Sequence, residues 1–249
     1  REMARRFVEE GAEVLLVDYD EAALAETAGI LGAKGRVRPF VCDLSRRGHI
    51  ERLHAHVTAE AGRIDVLVNN AGVVHGGAYD AVETAADEHM IAVNAEAVHW
   101  MTKAFLPDLI AAEEGHLVQM ASAAVFVGVP YQAVYCATKW FVAGLSEAVR
   151  QELRDRGHRH VHVTVVAPGL VRTGMFEGAR PPYLMPWLAP EVVVEKVIDA
   201  VRRNRRYVRA PLLVRSAPLL TAVLPGAVAD RVADLLGVNR TMKGFKGRE

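Results

Sequence analysis

The feature of this sequence that most constrains its fold is a series of short apolar segments separated by helical patterns of ten residues or more. Residues 14–17 and 66–68 are apolar at every position, so a strand formed there would be buried on both faces. Strands of this kind are typical of a parallel sheet that is covered by helices on each side. Because no internal repeat or linker interrupts the pattern, the sequence predicts one α/β domain over residues 1–249, built on a doubly wound parallel sheet.

Polar or glycine-bearing residues follow most of the predicted strands. The predicted strands cover residues 14–17, 37–42, 66–68, 117–121, 161–167 and 207–208, and the predicted helices cover residues 1–10, 21–31, 45–61, 84–111, 134–154 and 190–203. We expect Ser45 to cap the third helix and Pro107 to kink or break the fourth. Ligands bind open α/β sheets at the carboxyl ends of the strands, where the sequence places Asp18, Asp43, residues 69–72, Ser122 and residues 168–169.

The charge of the chain is zero overall but unevenly distributed. Residues 201–249 carry eleven Lys or Arg against three Asp or Glu. Such a basic end suits a solvated face, a partner subunit or an anionic membrane surface, and it comes without any recognised nucleic-acid module. Two cysteines, Cys42 and Cys136, are too few for a disulfide framework. We therefore expect a cytoplasmic protein, with peripheral membrane contact as an alternative and no nucleic acid as a partner.

Tyr135 and Lys139 carry the main chemical signal. They lie four residues apart in a predicted helix, so their side chains share one face. An ammonium group beside a phenol lowers the pKa of the tyrosine, which makes it a general acid or base for an alcohol or a ketone. The pair alone is a weak signal, because such pairs are common on surfaces. Ser122 strengthens it, since this residue ends the preceding strand and faces the same edge of the sheet.

Five motifs in the same order make residues 1 to about 173 resemble the short-chain dehydrogenase/reductase family. The matching segments are Asn69-Asn70-Ala71-Gly72, Asn94, Ser122, Tyr135 to Lys139, and Pro168-Gly169-Leu170-Val171-Arg172-Thr173. The resemblance implies a Rossmann-type fold and a Ser-Tyr-Lys-Asn tetrad. In that tetrad Tyr135 would transfer the proton, and Lys139 would lower its pKa and bind the nicotinamide ribose. Ser122 would hold the substrate oxygen, and Asn94 would anchor a water that relays protons.

The resemblance also implies a set of cofactor contacts. These are Asp18, Asp43, Leu44, Asn70, Ala71, Gly72, Tyr135, Lys139, Pro168, Gly169, Val171 and Thr173. A carboxylate at Asp18 would accept the ribose hydroxyls and repel a 2′-phosphate, so NAD is expected in preference to NADP. Taken alone, Asp18 could be a turn residue at a strand end, and Asp43 could cap the next helix.

The sequence departs from the family pattern at two places. Ala97 stands where the family usually has glycine. In addition, an acidic residue such as Asp18 lies about 20 positions after the glycine-rich turn of a dinucleotide fold, and counting back from it reaches Arg1 or earlier. We therefore expect the first strand and its glycine-rich turn to lie upstream of the sequence given.

Two segments lie outside the motifs. Residues 174–189 are rich in apolar and aromatic side chains, which suggests a substrate lid or, alternatively, a packed surface loop. Residues 211–249 form a basic and apolar extension with fourteen uncharged positions between Arg215 and Asp230. This stretch is too short to span a bilayer, so it would either anchor on anionic lipid or pack against a sister subunit or the lid, and a homo-oligomer is the favoured reading.

The expected activity is NAD-dependent interconversion of a hydrophobic secondary alcohol and its ketone, or of a lipid-like alcohol and its aldehyde. A non-catalytic Rossmann-type binding or scaffold protein is the alternative, although a scaffold has no need of a complete tetrad. A sugar-nucleotide epimerase is a third option, for which the C-terminal region is too short. We expect no metal site, because no carboxylate or cysteine completes a set with His158, His160 and His162.

Overall fold

The computed structural model describes residues 1–247, apart from the side chain of Leu220, while Arg248 and Glu249 at the end of the predicted extension lie outside the described residues. The strands are β1 (Val14–Asp18), β2 (Val37–Val41), β3 (Val66–Asn69), β4 (Gly115–Met120), β5 (Val161–Pro168) and β6 (Tyr207–Ala210). The helices are α1 (Glu2–Glu9), α2 (Glu21–Gly32), α3 (Arg47–Ala61), α4 (Thr84–Ile91), α5 (Ala97–Ala111), α6 (Ala133–Asp155), α7 (Pro190–Arg202), α8 (Leu212–Val223) and α9 (Gly226–Leu235).

The paired strands are parallel and form two sections. In the first section β1 pairs with β2, and Val14 lies opposite Val37. In the second section the strand order is β3–β4–β5–β6. Within residues 1–247 no ladder joins β1 to β3. The parallel α/β architecture predicted from the sequence is confirmed.

Helices cover both faces of the sheet. Leu117 and Val118 are consecutive in β4 and both are fully buried, yet they belong to different apolar clusters. Leu117 packs in a cluster with Phe105 of α5, whereas Val118 packs in a cluster with Val197 of α7. Successive side chains of a strand point to opposite faces, so these two clusters require helices on both sides.

Apolar packing connects the two sections of the sheet. A single buried cluster contains Phe40 of β2 and Leu67 of β3 together with Leu53 of α3 and Phe105 of α5. Burial of apolar side chains contributes about 25 cal/mol for each Å² removed from water, so this cluster stabilises the contact between the two sections of the sheet. Helices therefore hold β1–β2 and β3–β6 together where no backbone ladder does so.

The long helix predicted over residues 84–111 is interrupted, but not at the expected position. Pro107 lies inside α5, which continues to Ala111 without a break. The interruption is a π-helical turn over Ala92–Glu96, between α4 and α5. Such turns insert one extra residue into a helix and are frequent at functional sites. Here the turn contains Asn94, one of the predicted tetrad residues.

Ser45 does not cap α3, so that expectation is wrong. The helix begins at Arg47, and the flanking Arg46 makes no side-chain capping bond. The Ser45 hydroxyl instead donates a hydrogen bond of 2.6 Å to Oδ1 of Asp43. The other predicted helices and strands begin and end within two residues of the observed ones. No helix in the described part of the chain combines the length and the apolar character that crossing a bilayer requires.

Candidate active site

The predicted catalytic residues Ser122, Tyr135 and Lys139 come together at the carboxyl edge of the sheet. Tyr135 and Lys139 lie on one face of the first turns of α6, and they are 5% and 4% exposed. Ser122 follows β4 in extended backbone, and its hydroxyl accepts a hydrogen bond from the amide of Ala124. The Ser122 side chain is also close enough to the Tyr135 hydroxyl to lower the pKa of that phenol.

Burial controls the protonation of this pair. Burial raises the pKa of Tyr135 to about 12, and the hydrogen bond from Ser122 offsets only part of that rise. Burial also lowers the pKa of Lys139 to about 8. The reason is that an apolar environment disfavours both the phenolate and the ammonium. That Lys139 lowers the pKa of Tyr135 stays a prediction.

Asn94 holds the turn after β3 against the helices. Its Oδ1 accepts a hydrogen bond of 2.8 Å from the amide of Val73, and its Nδ2 donates one of 2.8 Å to the carbonyl of the same residue. Asn94 is fully buried, and Thr138 of α6 lies 3.4 Å from its Nδ2. Its side chain therefore positions the 70–73 turn, while the relay of protons through a bound water stays a prediction.

Lys139 has hydrogen-bonding capacity left for a ligand. An ammonium group has three donors, and the acceptor found for Nζ among residues 1–247 is the carbonyl of Met120, at 3.0 Å. A Cβ on Gly72 would lie 3.5 Å from Nζ and 3.2 Å from Oδ1 of Asn94, so any larger residue would crowd this space. The residues present therefore fit the hydroxyl groups of a nicotinamide ribose.

The predicted adenosine contacts lie at the ends of β1 and β2. Asp18 ends β1, is exposed, and accepts a hydrogen bond of 3.1 Å from the amide of Asp20. Asp43 follows β2 and accepts hydrogen bonds from the amide and the hydroxyl of Ser45, which lower its pKa. Leu44 packs against the buried cluster beside β2. The carboxylate of Asp18 is therefore open to a ligand, whereas that of Asp43 is used in a local turn.

Two further loops at this edge carry the remaining predicted contacts. Asn70 and Ala71 are exposed in the turn after β3. Pro168 ends β5, and the amide of Gly169 donates a hydrogen bond of 2.7 Å to the carbonyl of Ala210. Val171 forms a parallel bridge with Leu188, and Thr173 follows it on the exposed side. This bridge closes the base of the 174–187 loop.

Two aromatic rings and one buried hydrogen-bond network near the site are not predicted by the sequence. Phe176 lies edge-to-face with Tyr135, with 5.8 Å between the ring centroids, and Phe245 joins the same apolar cluster. Asn69 is buried and donates hydrogen bonds to Thr102 and Gln119, unlike its exposed neighbour. An apolar residue in a loop gives no local signal, so only the folded chain could place these aromatic rings.

The remaining residues considered from the sequence lie away from the tetrad or take no part in it. Cys136 is buried, and burial raises the pKa of its thiol, as suits a packing residue. His162 pairs with Glu114 at 3.2 Å, and Nε2 of His160 lies 2.9 Å from the carbonyl of Ile110. Within residues 1–247 no group of three or more His, Cys, Asp or Glu is arranged to hold a metal ion.

Replacing Lys139 with methionine is expected to remove a pH-dependent loss of folding stability that is caused by burying the ammonium group. The pKa of Lys139 falls from 10.5 in the unfolded chain to about 8 in the folded one, so the unfolded chain binds more protons between these values and stability rises with pH. The buried ammonium therefore costs roughly 3 kcal/mol near pH 7, and about 2 kcal/mol of this disappears by about pH 9.5.

Urea unfolding of the wild type and Lys139→Met at both pH values measures this effect. The free energy of unfolding of the variant, relative to wild type, should decrease by about 2 kcal/mol at the higher pH. Lys34→Met, at an exposed lysine, is the control and should show no such change. A difference for Lys139→Met that is the same at both pH values would mean that the ammonium is not buried in the folded state.

Comparison with known proteins supports one family. A family model described as short chain dehydrogenase matches residues 1–183. Epidermal retinol dehydrogenase 2 of Mus musculus is 36% identical over 253 residues, which cover 100% of this chain and 82% of that protein. Estradiol 17-beta-dehydrogenase 11 of Macaca fascicularis is 33% identical over 89% of this chain and 74% of that protein.

A solved structure agrees with these relatives. A metagenomic short-chain oxidoreductase in complex with NADP superposes with a TM-score of 0.71 and 31% identity, covering 85% of this chain and 91% of that one. The family match, the relatives and the shared fold all concern the segment that holds Ser122, Tyr135 and Lys139. The chain belongs to the short-chain dehydrogenase family of oxidoreductases.

Proposed function

We propose that this protein interconverts a hydrophobic alcohol and its ketone or aldehyde with a nicotinamide cofactor, and that NAD is preferred to NADP. The observation that carries the proposal is the grouping of Ser122, Tyr135 and Lys139, in which Tyr135 and Lys139 are buried and Tyr135 packs in an apolar cluster. A polar substrate would lose its hydration there without compensation, whereas an apolar one would not. The relatives named for retinol and estradiol support the same class, because both compounds are apolar alcohols.

Each residue of the tetrad has a proposed task. A nicotinamide cofactor, when bound, supplies or accepts the hydride. The Tyr135 hydroxyl gives a proton to the substrate oxygen in reduction and receives it in oxidation. The Ser122 hydroxyl holds that oxygen by a hydrogen bond. The Lys139 ammonium binds the ribose hydroxyls with its free donors, and Asn94 holds the backbone of Val73, next to Gly72, in position.

Replacing Tyr135 with phenylalanine tests the catalytic proposal. We expect alcohol turnover to fall by roughly 10²- to 10⁴-fold, because the variant loses the proton donor and keeps the ring. Binding of NAD, followed by quenching of tryptophan fluorescence, should stay within about threefold of wild type. Tyr79→Phe, at an exposed tyrosine, is the matched control.

The outcome separates an enzyme from a non-catalytic scaffold. If the wild type binds NAD but turns over no apolar alcohol, ketone or aldehyde, the scaffold reading replaces the proposal. If Tyr135→Phe retains turnover close to that of the wild type, Tyr135 is not the acid or base.

The preference for NAD is proposed on the charge of Asp18. Its exposed carboxylate lies at the end of β1, where it would repel a 2′-phosphate. Asp18→Asn should reduce the ratio of kcat/KM for NAD to that for NADP by roughly tenfold, since removing one close like-charge repulsion is worth about 1.4 kcal/mol. Asp20→Asn is the control, because Asp20 caps α2 and asparagine also caps helices. A wild type that is more efficient with NADP would contradict the proposal.

Self-association is proposed through α6. Trp140 and Phe141 are exposed on this helix, and Trp140 borders an apolar groove of about 680 Å³ together with Val129 and Ala137. Exposed aromatic side chains beside an apolar groove are typical of a surface covered by a partner, and a homo-oligomer would supply one.

Peripheral membrane contact is proposed through α8 and α9. The exposed residues Leu212, Leu219 and Val223 recur on one face of α8. On α9, Val228 and Leu235 are seven residues apart and form a similar exposed stripe. An apolar stripe on an exposed helix must be covered, and a lipid surface is one way to do so.

The charges beside these stripes favour an anionic lipid surface. Arg215 on α8 and Arg231 on α9 each lie three residues from an exposed apolar residue, and both are exposed. At 100° per residue, Asp230 and Asp234 lie well away from the stripe of α9, whereas Arg231 lies next to it. Arginines beside an apolar stripe, with acidic residues turned away, match an interface with anionic headgroups.

Sedimentation with phosphatidylserine-containing vesicles tests the membrane proposal. Binding should be salt-sensitive and absent with pure phosphatidylcholine, and the double variant Leu219→Ser/Leu235→Ser should lose most of it. Ile30→Ser, at an exposed position on α2, is the control. The proposal fails if the protein does not bind these vesicles and the double variant instead dissociates an oligomer in gel filtration.

A further inference from the structure

The C-terminal tail, residues 236–246, lies along the lid loop, residues 174–187. The amide of Tyr183 donates to the carbonyl of Leu236 at 2.7 Å, and the amide of Arg180 donates to that of Thr241 at 2.9 Å. The amide of Lys246 donates to the carbonyl of Glu177 at 3.0 Å. The residue numbers of the tail increase as those of their partners in the lid decrease, so the two segments run antiparallel. The lid is therefore bonded to a part of the chain that lies more than 50 residues further on.

Two glycines allow the tail and the lid to cross closely. A Cβ on Gly178 would lie 2.0 Å from the carbonyl oxygen of Gly244, and a Cβ on Gly244 would lie 2.8 Å from that of Gly178. Real Cβ atoms do not approach backbone oxygens this closely, so both positions require glycine in this arrangement. Gly178 also has a φ of +78°, which side chains other than glycine adopt rarely. The crossing is therefore specific to these residues.

The crossing directs Phe245 into the active-site cluster. Its Cδ1 lies 2.9 Å from the position that a Cβ on Gly76 would occupy, and the carbonyl oxygen of Tyr131 lies 3.0 Å from the same position. Phe245 packs in the apolar cluster that contains Tyr135 and Phe176. Its ring therefore lies where the loop after β3, the loop after β4 and the lid meet.

The position of Phe245 matters because the proton-transferring residue is covered. Tyr135 is 5% exposed, so a substrate oxygen cannot reach its hydroxyl unless part of the cover moves or is replaced by substrate. The lid is tied at its base by the bridge between Val171 and Leu188, and at its far side by the tail. Phe245 is half-buried at the rim of this cover. An apolar group of the substrate would take up space next to it.

We propose that Phe245 forms the outer wall of the substrate pocket and sets the size of the apolar group that the enzyme accepts, with the tail and the lid acting as one cover. The inference rests on the proposed oxidoreductase function. It assigns substrate selection to a residue that lies outside the matched family segment, which ends at residue 183.

Turnover of a series of secondary alcohols that differ in chain length tests the proposal. Phe245→Ala should raise the ratio of kcat/KM for bulky alcohols to that for small ones by roughly tenfold or more, because pocket contacts of a few methylenes have effects of this size. Phe245→Leu should give a smaller change in the same direction. Lys246→Ala is the control, since its side chain is exposed and its backbone bond to Glu177 remains.

Hydrogen exchange gives a readout that does not depend on activity. Phe245→Ala should speed exchange in the lid, while exchange in β4 and in the later turns of α6 stays as in wild type. Gly178→Ala, which disrupts the crossing, should speed exchange in both the lid and the tail. If Phe245→Ala changes neither the size ratio nor lid exchange, Phe245 is not part of the cover. A faster lid with an unchanged size ratio also overturns its role as the selecting wall.

The two proposals fail in different ways. A wild type that turns over no alcohol contradicts the proposed function, and the assignment of substrate selection to Phe245 is then lost with it. Even in that case, the exchange data decide whether Phe245 holds the lid and the tail together.

Discussion

The active site depends on the pair of hydrogen bonds between the Asn94 side chain and the backbone of Val73. Asn94 is fully buried, and a buried amide left without partners would cost several kcal/mol, so the turn after β3 is held firmly in register with the helices. Asn94 lies in the π-helical turn between α4 and α5. Gly72, next to Val73, lies near Lys139, where a side chain would take up space beside the ammonium group. The side chain of Asn94 thus links the π-helical turn to the turn after β3.

The burial of Tyr135 and Lys139 disfavours the charged form of both side chains. It raises the pKa of Tyr135 and lowers that of Lys139, so it favours a neutral phenol and makes the amine easier to deprotonate. The hydroxyl of Ser122 already offsets part of the effect on Tyr135. Additional polar partners for Lys139 would act in the same direction, because they favour the charged ammonium beside the phenol.

Features that depend on residues close together in the chain could be predicted from the sequence, whereas features that depend on contacts between distant residues could not. The spacing of Tyr135 and Lys139 is a property of one helix, and the strands are short local patterns, so these features could be predicted. Asn69 and Asn70 are identical neighbours whose environments the sequence does not distinguish. Asn69 is buried in a hydrogen-bonded network, whereas Asn70 is exposed. Pro107 is the local signal for a break, yet the interruption lies at residues 92–96. The burial of Tyr135 could not be predicted locally either, because it involves Phe176 and Phe245, which lie far along the chain.

Proton transfer and substrate selection are assigned to different parts of the chain, because the two tasks require different precision. Proton transfer needs reacting atoms held to within fractions of an ångström, so its residues lie on a helix and at strand ends, where packing leaves them little freedom. Selecting a substrate by size needs only a wall at the right distance, and a loop or a tail can supply it. The bonds between the lid and the tail make such a wall out of two segments that have no regular structure of their own over most of their length. Because this wall and the tetrad are built from different residues, the substrate has to be inferred from the residues around the motif rather than from the motif itself.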